Sequence, residues 1–287
     1  MIRHVMLAVT AILLAVIATA VMARVGWTSR SAELRKELET GSPAAPEVFS
    51  AADVEGLPEP VARFFLRTLR EGQPLVRAVT LITEGDFQTG KDAAGWKPFS
   101  ATQQFSTAPP GFVWDARIRM APLMPVFVRD AYVGGHAEMI GRVMGVYPVV
   151  REMGTPELAS GQLHRYLGET MWFPTALLPG HGVVWRAFDD HSAVATITDR
   201  GTTVSLRFTF TPEGDLSEVF APDRMRSANG RHEPTPWIVR CSDHQERHGL
   251  RIPLWCEAVW QLPEGPLPYW RGRVTDVRYD ARLNGLK

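Results

Sequence analysis

Residues 5–23 of this 287-residue chain read VMLAVTAILLAVIATAVMA, without one charged side chain. As a helix rising about 1.5 Å per residue, such a run comes close to the roughly 30 Å hydrocarbon thickness of a bilayer. The N-terminus is therefore expected either to span a membrane or to act as a secretory signal. Ala18-Thr19-Ala20 has the small-x-small form of a cleavage site. Against cleavage, the run exceeds a usual signal core and continues through Val21 and Met22. The expectation is a retained single-pass anchor, or uncleaved signal, over residues 1–27, with the membrane as partner through residues 5–23. The two cysteines, Cys241 and Cys256, lie far downstream, which excludes a lipidated cysteine after the run.

Beyond the run the composition is that of a globular protein, 45% hydrophobic and 22% charged. Lys+Arg 31 balance Asp+Glu 31, so the chain lacks the basic excess that phosphate-backbone binding requires. Nucleic acid is not expected as a partner. Residues 28–56 turn polar, then small and proline-bearing (GSPAAPE), which suits a tether, with SAELRKELE as a short exposed helix. Residues 57–287 are then expected to form a single domain.

Local patterns in that domain separate helices from strands. After Leu57-Pro58-Glu59-Pro60, Val61, Phe64, Phe65 and Leu69 recur at helical spacing and mark one apolar face. The period then changes to two in VRAVTLITEGDFQ, WKPFSATQQFST, GFVWDARIRM and VFVRDAYVGGHAEMIG, the alternation of antiparallel strands. Thr155-Pro156-Glu157 starts another helix, with Thr as N-cap, Pro in the first turn and Glu at the positive end of the dipole. WFPTALLPG follows as a broken apolar connection, and strand patterns resume from VVWRAFD to YWRGRVTDVRYD. Roughly ten strands and two or three helices result. Strands in runs, with helices as separate packets, predict an α+β domain built on a large curved antiparallel sheet, preceded by one transmembrane helix.

Cys241 and Cys256 fall opposite one another if His248-Gly249 forms the turn between their strands. Directly opposed residues have Cα atoms about 4.5–5.5 Å apart, within disulfide range. Either a hairpin disulfide or two buried thiols fits that pattern, and a disulfide would imply an oxidising compartment.

Motifs for chemistry are sparse. The histidines do not fall at metal-ligand spacings; His244 and His248 are four apart but in a hairpin segment, so no metal is expected. There is no G-x-S-x-G elbow and neither glycine-rich nucleotide motif, so no catalytic residue and no cofactor is assigned. Large apolar residues in polar company stand out instead. Trp114, Trp172, Phe173, Leu177 and Trp185 are candidate walls of an apolar cavity, and Asp115, Arg117, Arg129 and Asp130 candidate polar groups at its mouth. For each tryptophan, plain core packing is the competing reading.

The segments PGFVWDARIRM (110–120), RDAYVGG (129–135), GTPELASGQLHRYLGETMWFPTALLP (154–179), PTPW (234–237) and GPLPYWRGRVTDVRYD (265–280) resemble a bacterial family of uncharacterised proteins. That family assigns no reaction. More remotely, the order of meander, inserted helix and late hairpin resembles the periplasmic lipoprotein-carrier fold, which implies a half-barrel holding acyl chains against internal helices. A count of Arg24, Arg30, Arg35 and Lys36 after the run, against Arg3 before it, would keep the domain cytoplasmic. The cysteine pair and the resemblance point outward, and the domain is expected to be extracytoplasmic.

Three functions follow: a membrane-tethered, non-enzymatic domain holding a lipid or other apolar ligand in the concave sheet; an enzyme of unrecognised class using the polar residues at the mouth; or an interaction domain of an envelope complex. The first is the leading expectation. If the domain lies outside the cytoplasm, Cys241 and Cys256 are expected to be oxidised, closing a loop of about 15 residues worth roughly 3 kcal/mol. Intact mass with and without reductant before alkylation checks this; two free thiols in native membranes would favour the cytoplasmic orientation.

Overall fold

The computed structural model describes residues 2–39, 47–89, 95–122, 124–228 and 230–279. Helix α1 spans Ile2–Leu38, α2 Glu59–Thr68 and α3 Pro156–Glu169. Strands β1 (Ala78–Gln88), β2 (Trp96–Thr107), β3 (Pro110–Ala121), β4 (Met124–Val133), β5 (His136–Val143) and β6 (Tyr147–Met153) precede α3. After it come β7 (Val184–Asp189), β8 (Ser192–Asp199), β9 (Thr202–Phe210), β10 (Leu216–Ala228), β11 (Arg231–Arg247), β12 (Leu250–Leu262) and β13 (Gly265–Tyr279). The alternating segments become strands as expected, split where glycines allow the turn: Gly134-Gly135, both at positive φ, separates β4 from β5. Strand β6 was not legible, because YPVVREM lies at an edge with nearly every side chain exposed and has no buried face to impose a period.

The strands among the described residues join one antiparallel sheet in the order β6-β5-β4-β3-β2-β1-β13-β12-β11-β10-β9-β8-β7. Two meanders, one on each side of α3 in sequence, are joined by pairing of β1 with β13. The sheet must curl strongly. Arg165 on α3 bonds Asp130 on β4 at 2.6 Å, while Gly161 on the same helix accepts from Arg224 on β10 at 3.1 Å, seven places away in strand order. His232 on β11 reaches Glu152 on β6 at 3.1 Å, so the sheet nearly encloses the helix.

Helix α3 and the short turns over 170–181 fill that interior. Leu163, Tyr166, Leu167, Phe173 and Leu177 are fully buried, and Phe105 packs against Phe173 with ring centroids 4.7 Å apart. Helix α2 adds Val61, Phe64 and Phe65, the face read from spacing.

The N-terminal segment differs from expectation. The predicted boundary at residue 27 and the tether from residue 28 do not hold as far as Leu38, because α1 continues without a break. Trp27, Ser31, Leu34 and Leu38, at helical spacing, are buried against the outer face of the sheet, where Val113, Ala131 and Val133 meet them. The proline-bearing part of the expected tether, residues 40–46, lies outside the described residues, as does the end of the expected domain, 280–287. The apolar part of α1 is long and hydrophobic enough to cross a membrane, and Val5, Leu7, Ile12 and Met22 are exposed.

The cysteine register is as expected: Cys241 pairs with Cys256 across β11 and β12. Both are free thiols here, their sulfurs 3.7 Å apart, with Met171 Sδ 3.2 Å from Cys241. Burial pushes the Cys256 thiol well up from its ordinary value.

Because α1 contributes Trp27, Leu34 and Leu38 to a packed interface, a chain beginning at Arg24 should melt higher than one beginning at Glu47. Burying those three side chains is worth roughly 5 kcal/mol, which corresponds to about 10 °C or more in a domain of this size. Thermal melts of the two truncations check this, and equal melting temperatures would show that α1 contributes nothing to the domain.

Candidate functional site

Helix α3 starts where its sequence demands. Thr155 Oγ1 accepts from Leu158 N at 3.2 Å, and Pro156 occupies the first turn, where its missing N–H costs nothing. With Leu163, Tyr166 and Leu167 turned into the core, the helix presents Gln162, Arg165 and Glu169 to a cavity of about 300 Å³ on the concave side. Trp114 and Asp130, directly paired across β3 and β4, form one wall. Trp237 and Trp260, directly paired across β11 and β12, form another.

Charge in this interior is arranged closely. Arg165 donates through Nη1 to Asp130 at 2.6 Å and through Nε to Glu169 at 2.9 Å, and lies over the rings of Phe112 and Trp114. Gln103 donates to the other Glu169 oxygen at 2.7 Å. Burial pushes both carboxyls above the ordinary carboxylate range, against the pull of Arg165. Asp130 Oδ1 and Gln162 Oε1 are buried with no hydrogen-bond partner. Arg224 sits with its guanidinium carbon 4.4 Å from the Trp237 ring centre and 5.0 Å from that of Trp260. Its bonds go to neutral acceptors, Gly161 O at 3.1 Å and Tyr269 Oη at 3.3 Å.

The cavity lies towards one end of the sheet. Helix α1 runs along β4 from Phe127, against which Trp27 packs at 6.1 Å, towards Val133, which shares a buried cluster with Leu38. Its apolar run therefore departs beyond the Met124 end of β4. Strand register carries that end across the sheet: Val126 pairs with Ile118, Ile118 with Phe99, and Phe87 with both Lys97 and Trp270. The lining residues Phe87, Val128 and Trp270 are thus on the side where α1 leaves the domain.

The residues singled out from sequence divide between the two faces. Trp114, Asp130 and Trp172 line the cavity. Asp115, Arg117 and Arg129 do not, because successive side chains on a strand point to opposite faces. Asp115 is on the outer face, accepting from Trp27 Nε1 at 3.1 Å, Ser31 Oγ at 3.0 Å and Arg35 at 2.7 Å. Arg129, its cross-strand partner, bonds Glu138 at 2.7 Å and Ser31 at 3.1 Å and stacks on Trp27. Arg117 is exposed on that face, along a shallow groove beside α1. Phe173 and Leu177 are fully buried core. Trp185 packs on Phe65 and Phe208 and donates to Leu177 O at 2.9 Å, away from the cavity. The four polar residues therefore do not form a common mouth, and the enzyme reading loses the cluster on which it rested.

Sequence reasoning missed Arg165, Glu169 and Arg224. The spacing of Arg165 and Glu169, four apart on a capped helix, was an available signal for a pair; Arg224 had none.

A model of a family of unknown function, DUF6544, matches residues 47–272. No functionally curated protein matches the chain. Among solved structures, a LolA superfamily protein from Nitrosomonas europaea is similar at 12% identity, with a TM-score of 0.40, over 77% of this chain and 93% of that one.

His164, on the helix that carries the site, is buried and its pKa is lowered to about 4, chiefly by loss of water and in part by Arg224, although its ring bonds Ser160 O. A depressed histidine contributes stability that is complete above its unfolded value near 6.5 and is lost as pH falls towards 4. The contribution is about 3 kcal/mol. Urea midpoints for the wild type and His164→Gln between pH 7 and 4 should converge as pH falls; parallel curves would contradict a neutral buried imidazole.

Proposed function

The chain belongs to the DUF6544 family of unknown function, and from that premise we propose that it is a membrane-tethered, non-enzymatic binding domain that holds a lipid or similar amphiphile in the concave face of its sheet. The observation that carries this reading is the cavity of about 300 Å³ between α3 and the sheet, walled by Trp114, Trp172, Trp237, Trp260 and Trp270. Ligand cavities of this kind are mostly apolar, with a few placed polar groups. Here those are Asp130 and Gln162, each with an oxygen lacking a partner, and Arg224.

Two further observations support a ligand drawn from a bilayer. The cavity is on the side of the sheet where the apolar run of α1 departs. At the same end, the β3–β4 and β5–β6 turns expose Met124, Met144, Val146 and Tyr147, apolar groups that a soluble surface would not favour clustering. An extracytoplasmic placement is also consistent with three of the four basic residues after the run having structural partners: Arg24 lies over Phe127, Arg30 pairs with Glu138 and Arg35 with Asp115.

Filling the cavity tests the reading. Val128→Phe with Met139→Phe adds bulk at two half-buried lining positions. In the full chain held in phosphatidylcholine nanodiscs, energy transfer from the cavity tryptophans to the neutral probe N-phenyl-1-naphthylamine should be strong in the wild type and fall about tenfold in apparent affinity in the filled variant, about 1.4 kcal/mol. Equal transfer in both would mean that the probe, and by extension an apolar ligand, does not use this cavity.

A further inference from the structure

Buried arginines are rare unless paired, and the interior offers a direct comparison. Arg129 is held by Glu138 at 2.7 Å, and Arg165 by Asp130 at 2.6 Å and Glu169 at 2.9 Å. Arg224 is as buried as these, 8% exposed, yet among the described residues no carboxylate lies within 4.0 Å of it. Its bonds to Gly161 O and Tyr269 Oη and its two tryptophan neighbours orient the guanidinium but do not neutralise it. Arg226, two residues further along β10 and therefore on the same face, is half-buried, lines the same cavity and also has no ion pair among the described residues. Asp130 and Glu169 both bond Arg165 and act on Arg224 only from beyond 4.0 Å, so the lining carries Arg165, Arg224 and Arg226 against Asp130 and Glu169, an excess of one positive charge.

Resting on the reading of the cavity as an amphiphile site, we propose that the ligand's head is an anion, a carboxylate or phosphate monoester, paired with Arg224 and Arg226 while its apolar part lies along the tryptophan walls. A guanidinium held over two indole rings is a preorganised donor for such an oxyanion. In a water-poor pocket the pair is also stronger than it would be at the surface. Tyr269 completes the arrangement by accepting from both Trp237 Nε1 at 3.0 Å and Arg224, which fixes the guanidinium in the cavity wall.

The test uses the full chain in phosphatidylcholine nanodiscs and displacement of N-phenyl-1-naphthylamine by dodecanoate, dodecyl phosphate and dodecanol, three probes with one tail. In the wild type, at least one of the two anions is expected to displace the dye at lower concentration than the alcohol; which one does so identifies the head. In Arg224→Met, which keeps an apolar stem between the two tryptophans, that preference should fall by about tenfold or more, since hydrogen bonds to a charged group are worth this much. Arg226→Met, at a half-buried position, should lower it several-fold and supplies the reading if Arg224→Met does not fold, as checked by circular dichroism. Equal displacement by anions and alcohol, or a preference that survives both substitutions in folded protein, would overturn the proposal while leaving an apolar cavity intact. Failure of all three probes to displace the dye would instead remove the amphiphile reading itself.

Discussion

A thirteen-stranded antiparallel sheet presents an inner face too large to leave in water, and α3 with the turns behind it, helped by α2, covers that face. Helix α3 does so by touching β3–β5 on one side and β9–β11 on the other, which is possible only because the sheet's twist accumulates into a strong curl. Since α3 covers only part of the interior, space remains between it and the strands, and that space is the cavity. Fold and candidate site are thus consequences of the same mismatch between a long sheet and a short helix.

The burial of charge follows the same geometry. Arg165 joins α3 to β4 through Asp130, and Arg224 joins β10 to α3 through Gly161 O. Removing any one member of the Arg165–Asp130–Glu169 group would strand a charge in a low-dielectric interior, which costs more than the group's net contribution. On the outer face Asp115 and Arg129 do the corresponding work for α1, so strands β3 and β4 carry a polar anchor on each side of one layer. The apolar part of α1 is thereby continuous with a segment fastened to the sheet directly behind the cavity wall.

Much of the architecture was readable from local pattern. The segment WKPFSATQQFST became β2 in full, Thr155 capped its helix as its neighbours required, and Cys241 met Cys256 through a turn at His248 and Gly249. The error at residues 28–38 came from reading SAELRKELE by its charges alone. The stripe Trp27, Ser31, Leu34 and Leu38 was present, but it starts just past the apolar run, is short, and has the polar Ser31 at one of its positions, so it does not stand out as an apolar face. The error at Asp115, Arg117 and Arg129 came from treating neighbours in sequence as neighbours in space, although the strand period itself separates Trp114 from Asp115.

The sequence by itself determined the membrane-length apolar run, the strand and helix periods, the turns and the antiparallel α+β class, because each depends on residues only a few positions apart. Tertiary structure alone decided which face each polar residue joins, how far the sheet curls, and that Arg165, Asp130 and Glu169 meet while Arg224, among the described residues, has no carboxylate within 4.0 Å. Those outcomes depend on contacts between β4, α3 and β10, up to 94 residues apart in the chain (Asp130 to Arg224), which no local pattern encodes. The physical reason is that periodicity specifies where a side chain points relative to its own strand, whereas the charge it meets there is set by a strand on the other side of the curl.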